Sequence, residues 1–210
     1  MKRIALTMLL YFVYCGHMQA QKTWVEKGVS ITQLDTLGDD YESLRGTFIT
    51  QNSSIHEVMN IILDVDGYDW VEGESKSRMV LVEKKDSSFT FDYFVEIPWL
   101  FVKKTGRVKV DVHHKKNSFY TRSTEIREYD RDEDYDLVDF YSAQWKVQKH
   151  GENNVRVTYL GVYQDQKMVF NINRIIIKRI RKRLNSSLYN LKVRTSEKGA
   201  PVNSLSWPSK

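Results

Sequence analysis

The sequence predicts an α+β fold: a curved antiparallel β-sheet wrapped around a long C-terminal α-helix. Three observations carry this prediction. The middle of the chain alternates with period two, as in Phe89, Phe91, Tyr93, Val95 and Ile97 set against Ser88, Thr90, Asp92 and Glu96. One dry and one wet face per strand is a pattern that antiparallel sheets tolerate and parallel sheets do not. Near the end the period changes, and Ile176, Ile177, Ile180, Leu184, Leu188 and Leu191 fall on one side of a helix from about Asn173 to Val193. Finally, the turns between alternating runs are short, as at Lys85-Asp86-Ser87 and Lys116-Asn117, so successive strands pair as neighbours.

In chain order, Trp24 to Gln33 reads as a first strand and Tyr41 to Thr50 as a second, with Gly38 and Asp39 as turn residues in Asp35 to Asp40. Ile55, Val58, Met59, Ile62 and Val65 then recur at spacings of three and four, the mark of an amphipathic helix. With Ser54 as N-cap, Glu57 stands at the third helical position and completes a capping box; Asp66-Gly67 ends the helix. About six strands follow. Val108, Val110 and Val112 alternate with Arg107, Lys109 and Asp111, and Tyr141, Ala143, Trp145 and Val147 with Ser142, Gln144, Lys146 and Gln148. His150 to Asn154 joins the last two long strands, the final one being about Val155 to Tyr163. Phe94 alone breaks the polar side of its strand. A curved sheet of this size must cover its inner face, and the terminal helix is the one predicted element long enough to lie across it. The space beneath is then either a packed core or an apolar cavity.

Residues 1–20 stand apart from this fold. Lys2 and Arg3 precede an apolar run from Ile4 to Cys15, and Gln19-Ala20-Gln21 offers a small residue for cleavage, the layout of a secretory signal peptide. The run is shorter than the about 20 residues a membrane span needs. The bulky Phe12, Val13 and Tyr14 before Cys15 do not fit a lipobox, whereas Met18 is larger than the residue usual near a cleavage site. Residues 21–195 form one domain, and 196–210, with Gly199, Pro201 and Pro208, a disordered tail. Cys15 is the only cysteine, so the mature domain has no disulfide, thiol nucleophile or thiolate metal ligand. Loss of Lys2 and Arg3 leaves 30 basic against 27 acidic side chains, too small an excess for a nucleic-acid binder.

Several segments resemble the START (StAR-related lipid-transfer) family within the helix-grip superfamily. They are Asp64-Val65-Asp66-Gly67-Tyr68-Asp69-Trp70, Tyr93-Phe94-Val95-Glu96-Ile97-Pro98-Trp99, Trp145, Asn154-Val155-Arg156-Val157-Thr158-Tyr159, and the terminal helix. Their order and spacing are similar to those of bacterial exported members, over about Trp24 to Val193. The chain departs from the family after Pro98-Trp99, where Leu100 to Arg107 has neither a second proline nor an Arg-Asp pair. The resemblance implies binding or transfer of a sterol, phospholipid or other apolar molecule, without covalent chemistry.

Candidate ligand-lining residues are Phe91, Tyr93, Val95, Tyr141, Trp145 and Tyr159 on the strands, Trp99 in the following loop, and Ile176, Ile177, Ile180 and Leu184 on the helix. Aromatic walls with a few hydroxyls suit an apolar ligand that needs orienting; the plain alternative is a packed core. The apolar loop Pro98 to Val102 is either a gate or a segment tucked under the helix. The basic run Arg174, Lys178, Arg179, Arg181, Lys182 and Arg183 is either a solvated helix face or a contact for anionic headgroups. Asp130, Asp132 and Asp134 have the spacing of a calcium loop, but Tyr135 and Tyr141 occupy its required glycine and glutamate positions, so an acidic surface loop, continued by Glu128, Glu133, Asp136 and Asp139, is expected. His56, His113, His114 and His150 are scattered, and no metal, phosphate or nucleophile motif is present.

The expected function is non-catalytic binding or transfer of a lipid or other apolar small molecule by an exported, periplasmic or extracellular monomer. Transient membrane-surface contact is part of that expectation; nucleic acid, metal and cofactor are not. The alternatives are a helix-grip enzyme of the cyclase or dehydratase kind, and an interaction module with a filled core.

Overall fold

The computed structural model describes residues 21–34, 41–64, 71, 78–97, 102–137, 141–164 and 172–196. They form β1 (Thr23–Glu26), β2 (Val29–Leu34), β3 (Tyr41–Gln51), α1 (Ile55–Leu63), β4 (Arg78–Lys85), β5 (Ser88–Ile97), β6 (Val102–Lys115), β7 (Ser118–Ile126), β8 (Asp136–Leu137), β9 (Tyr141–Lys149), β10 (Asn154–Gln164) and α2 (Ile172–Ser196). The strands make one sheet in the order β1-β2-β3-β10-β9-β7-β6-β5-β4, antiparallel throughout except that β8 pairs parallel to β6. A large curved antiparallel sheet with a long terminal helix is the helix-grip arrangement read from the sequence. No described helix is long and apolar enough to cross a membrane. The leader 1–20, the turn 35–40, the loop residues Pro98 to Phe101 and 197–210 of the tail lie outside the described residues, whereas Ser196, read as the first residue of the tail, is the last of α2.

The single first strand read over Trp24 to Gln33 is a correction: it is a hairpin. Lys27 (φ 53°) and Gly28 (φ 73°) both take left-handed conformations and form the two-residue turn whose twist suits antiparallel strands. Lysine before glycine hid the turn, because the preferred asparagine or aspartate is missing. The first helix also stops earlier than Asp66-Gly67, at Leu63, with Asp64 as its C-cap. Its start matches the reading: Ser54 Oγ accepts the Glu57 N–H (3.1 Å) and the Glu57 carboxylate accepts the Ser54 N–H (2.7 Å). Pairing with Ile97 makes Val102 the first residue of β6 rather than the end of a loop.

Much of the core gathers at one end of the sheet, with Phe89, Val108 and Val110 buried further along β5 and β6. Val29, Phe48, Val157, Val147 and Phe119 stand in register across five neighbouring strands, and all are fully buried. β-Branched and aromatic residues paired in this way are the main cross-strand stabilisation of a sheet. α1 lies over β7 and β9 at this end and buries Val58, Met59 and Ile62. α2 rests on β2 and β3 and touches α1. It approaches the sheet closely because Gly46 has no side chain: a Cβ there would lie 2.1 Å from Leu188 Cδ1.

The C-terminal end of α2 is held by hydroxyl groups. Thr50, at the end of β3, lies 3.0 Å from Thr195 Oγ1, 3.1 Å from Ser196 Oγ and 3.3 Å from Ser53 Oγ. Ser53 Oγ donates to the Thr195 carbonyl, and Thr195 and Ser196 donate to that of Lys192. The Thr195 carbonyl, which the helix itself cannot pair, is thereby satisfied.

Candidate functional site

The inner face changes character along the sheet. On α2, Leu191 and Leu188 are 0% and 1% exposed, whereas Leu184, Ile180 and Ile177, on the same inward side, are only half-buried. On the strands, the Val29 to Phe119 row is followed by half-buried Trp145 and Tyr159, and then by half-buried Phe91 and Tyr93. These residues lie toward the end of the sheet where β5 ends at Ile97 and β7 at Ile126, and where β6 begins at Val102 and β9 at Tyr141.

The aromatic residues form two groups. Trp145 and Tyr159 face each other across β9 and β10, with ring centroids 4.8 Å apart. Along β5, Phe89 stacks on Phe91 at 5.8 Å, and Phe91 meets Tyr93 in a tilted contact at 6.5 Å. The groups are separated by β7 and β6, about 15 Å along the sheet at the usual strand spacing. Both tyrosine rings lie flat: Tyr93 covers Gly106, and Tyr159 covers Gly161. Glycines under flat rings keep the floor of this region low.

Between the two groups the sheet spreads. β7 and β9 pair as far as Tyr120 opposite Lys146. Beyond that, Thr121 Oγ1 accepts the Trp145 N–H (3.1 Å), and Ser123 Oγ accepts the Ala143 N–H and donates to its carbonyl, both at 2.7 Å. Side-chain hydroxyls replace the backbone ladder and hold the strands apart. Beside this gap, on the β9–β10 ladder, Ala143 pairs with Gly161, so the floor there is built of small residues. Two positions further along β7, Glu125 carries a side chain only 11% exposed, in a 3.2 Å ion pair with the outward-reaching Arg127.

Phe91, Tyr93, Trp145 and Tyr159 lie half-buried on the inner face, and Ile180 and Leu184 pack against the core from α2, with Ile177 one turn before Ile180–Arg181. Val95, Tyr141 and Ile176 hold positions in β5, β9 and α2, but their side chains lie outside the described residues, as does all of Trp99. Sequence reading missed Thr121, Ser123, Glu125 and Arg127. β7 is apolar on its inner side only at Phe119, so its polar continuation gave no alternation to follow. The useful signal was small and polar residues at every second position after Phe119.

The outer face explains two oddities. Phe94 packs edge-on against Tyr135 (5.2 Å), whose hydroxyl donates to Glu96, so the residue that broke the polar side is covered by the segment after β7. Arg107 binds Asp92 through two hydrogen bonds (2.7 and 2.9 Å) beneath the Tyr129 ring, 4.4 Å away. The hydrogen bond to Asp92, more than the neighbouring charges, raises the Arg107 pKa. In the acidic segment, Asp132 accepts the Asp134 N–H (3.0 Å). Among the described residues no three His, Cys, Asp or Glu side chains gather to hold a metal ion. His113 is spent on a 4.6 Å stack with Tyr120.

No protein-family model and no curated relative matches the chain. Solved structures do. A StAR-related lipid transfer protein from Xanthomonas axonopodis superposes with a TM-score of 0.70 at 12% identity, over 85% of this chain and 100% of that one. Human StAR-related lipid transfer protein 5 gives 0.64 at 12% identity, over 92% and 93%. The Zhui aromatase/cyclase from Streptomyces sp. R1128 gives 0.56 at 10% identity, over 79% and 99%. The fold is START-like.

Proposed function

We propose that this START-like domain binds an apolar, lipid-like ligand between the sheet and the N-terminal half of α2, and carries it without covalent chemistry. The observation behind this reading is the change along one helix face, from fully buried Leu191 and Leu188 to half-buried Leu184, Ile180 and Ile177. Five apolar residues on one inward stripe would share one degree of burial if the protein's own side chains filled the space evenly. Half-buried aromatics share the inner face of the sheet, with the small residues Gly161 and Ala143 beside Tyr159. A ligand covering them gains about 25 cal/mol for each Å² of apolar surface removed from water. Among the polar groups nearby, Ser123 and Thr121 are engaged with backbone and Glu125 with Arg127. That favours holding over reacting, although the cyclase-like reading shares the fold. With the leader read at 1–20, the carrier is an exported protein, acting in the periplasm or outside the cell as a monomer.

The test is native mass spectrometry of the purified mature protein, followed by organic extraction. A co-purifying apolar species is the expected result. Ligand-free protein that takes up nothing from a lipid library points to the filled-core alternative, and a chemically altered product in the extract points to the enzyme.

A further inference from the structure

α2 is chemically one-sided in charge as well as in hydropathy. From Ile172 to Ser196 it carries eight Lys or Arg residues and no Asp or Glu. The structure sorts them. Arg181 is drawn onto the Trp24 ring, 3.9 Å from its centroid, and Lys192 donates to the Lys27 carbonyl at the hairpin turn (3.2 Å). Lys27 in turn lies 4.9 Å over Tyr189. The β1–β2 hairpin and one flank of α2 are thus a single continuous surface. Lys178 and Lys182, one turn apart, stand exposed on that flank, and Lys22 continues it beyond Trp24. Along β1, Glu26 is the only carboxylate.

The opposite charge collects elsewhere. Between Arg127 and Leu137, Glu128, Asp130, Asp132, Glu133, Asp134 and Asp136 cluster beside β6, several strands away from α2 in the sheet order. Arg131 within this segment and Lys103 and Lys104 on β6 beside it offset part of that charge. The carboxylates outnumber them, and a molecule with such an asymmetry is oriented by a charged surface before it touches it.

We propose that the β1–β2 hairpin and the adjoining flank of α2 form a docking face for an anionic phospholipid bilayer. The domain sits side-on, with the acidic segment turned away. Lys178 and Lys182 are the principal contacts, joined by Lys22 and Lys27. Val25, the exposed apolar residue of β1, points to the other face of its strand from Trp24, so the seat is electrostatic rather than inserted. Such docking presupposes the carrier reading for its purpose, since it lays the half-buried part of α2 against a lipid source, but it is measured separately.

The experiment is co-sedimentation of the mature protein with vesicles of phosphatidylcholine alone or mixed with 30% phosphatidylglycerol, at about 50 mM and 0.5 M salt. Binding is expected to the anionic vesicles only and to vanish at the higher salt. Lys178→Gln with Lys182→Gln should bind roughly 30-fold more weakly, each surface lysine contributing about fivefold. Lys146→Gln, an exposed lysine on the outer face, should change binding less than about twofold. Equal binding to both vesicle types, no binding by the unmodified protein, or the same loss from Lys146→Gln overturns the proposal. Native mass spectrometry of the double variant separates the two readings. Retained ligand with lost docking supports both; lysine-dependent docking by a protein that never carries ligand supports the docking face and sinks the carrier.

Discussion

The two ends of this sheet are built from similar residues and treated differently. Where α1 sits, the Val29 to Phe119 row, Leu188 and Leu191 are closed off from solvent, and the hydroxyls of Thr50, Ser53, Thr195 and Ser196 fasten the end of α2. At the other end, Phe91, Tyr93, Trp145, Tyr159, Ile180 and Ile177 are as apolar but stay half-buried, and β7 and β9 are held apart by Ser123 and Thr121. Composition therefore does not decide which end is core. What decides it is whether the strands stay paired and whether a second helix covers them. Stability resides chiefly at the first end, and the carrier reading assigns the ligand to the second.

The largest effect should come from Leu188→Ala. It removes a buried side chain that rests on Gly46, and should cost about 3 kcal/mol in urea unfolding by leaving a cavity the sheet cannot close. Ile180→Ala, two turns away on the same face, should cost only about 1 kcal/mol in ligand-free protein, because less of it is buried. Equal losses at the two positions would abolish the distinction between the ends.

Ala143→Phe sharpens the comparison from the other side. In a closed core an added ring costs about 1–3 kcal/mol of overpacking. Over an open floor it should leave the ligand-free protein's melting unchanged and displace co-purifying ligand at least about tenfold, as read by mass spectrometry. Destabilisation with ligand retained would mean that the gap beside Ser123 is already filled.

The fold was legible because it rests on periodicity. Alternation in β5, β6 and β9, the inward stripe of α2 and the Ser54–Glu57 box each follow from local spacing, which a single sequence displays. The β1–β2 hairpin escaped because Lys27 adopts a conformation that its residue type does not announce. The site was half legible. Phe91, Tyr93, Trp145 and Tyr159 were picked as inward-facing by alternation alone, but the spreading of β7 from β9 depends on hydroxyls bonding to another strand's backbone. Ser123 and Ala143 are twenty residues apart, and no local pattern links them. The acidic segment read as simple surface contributes Tyr129 and Tyr135 to the outer face, a long-range packing that its charges conceal.

A smaller effect tests the fastening of α2. Thr195→Val keeps the shape of the side chain but removes the hydroxyl that donates to Lys192 and meets Thr50, whose own side chain is buried. A buried hydrogen bond lost in this way costs about 1–2 kcal/mol. Amide exchange should quicken in the last turns of α2 and not around Ile177. Faster exchange confined to the N-terminal half would show that the helix is held from the other end.

The smallest effect concerns α1, the nine-residue helix that covers the closed end. A helix this short is marginal by itself, so its stability comes from burying Val58, Met59 and Ile62 and from the reciprocal bonds at its first turn. Ser54 is exposed, so Ser54→Ala removes the cap and little else, at a cost of about 1 kcal/mol. Glu57→Gln should cost less, because an amide oxygen can still accept the Ser54 N–H. Neither change should alter the amount of ligand carried. Ligand lost from Ser54→Ala in proportion to stability would mean that the covered end and the open end fold and bind as one unit, and the separation of roles between them would not stand.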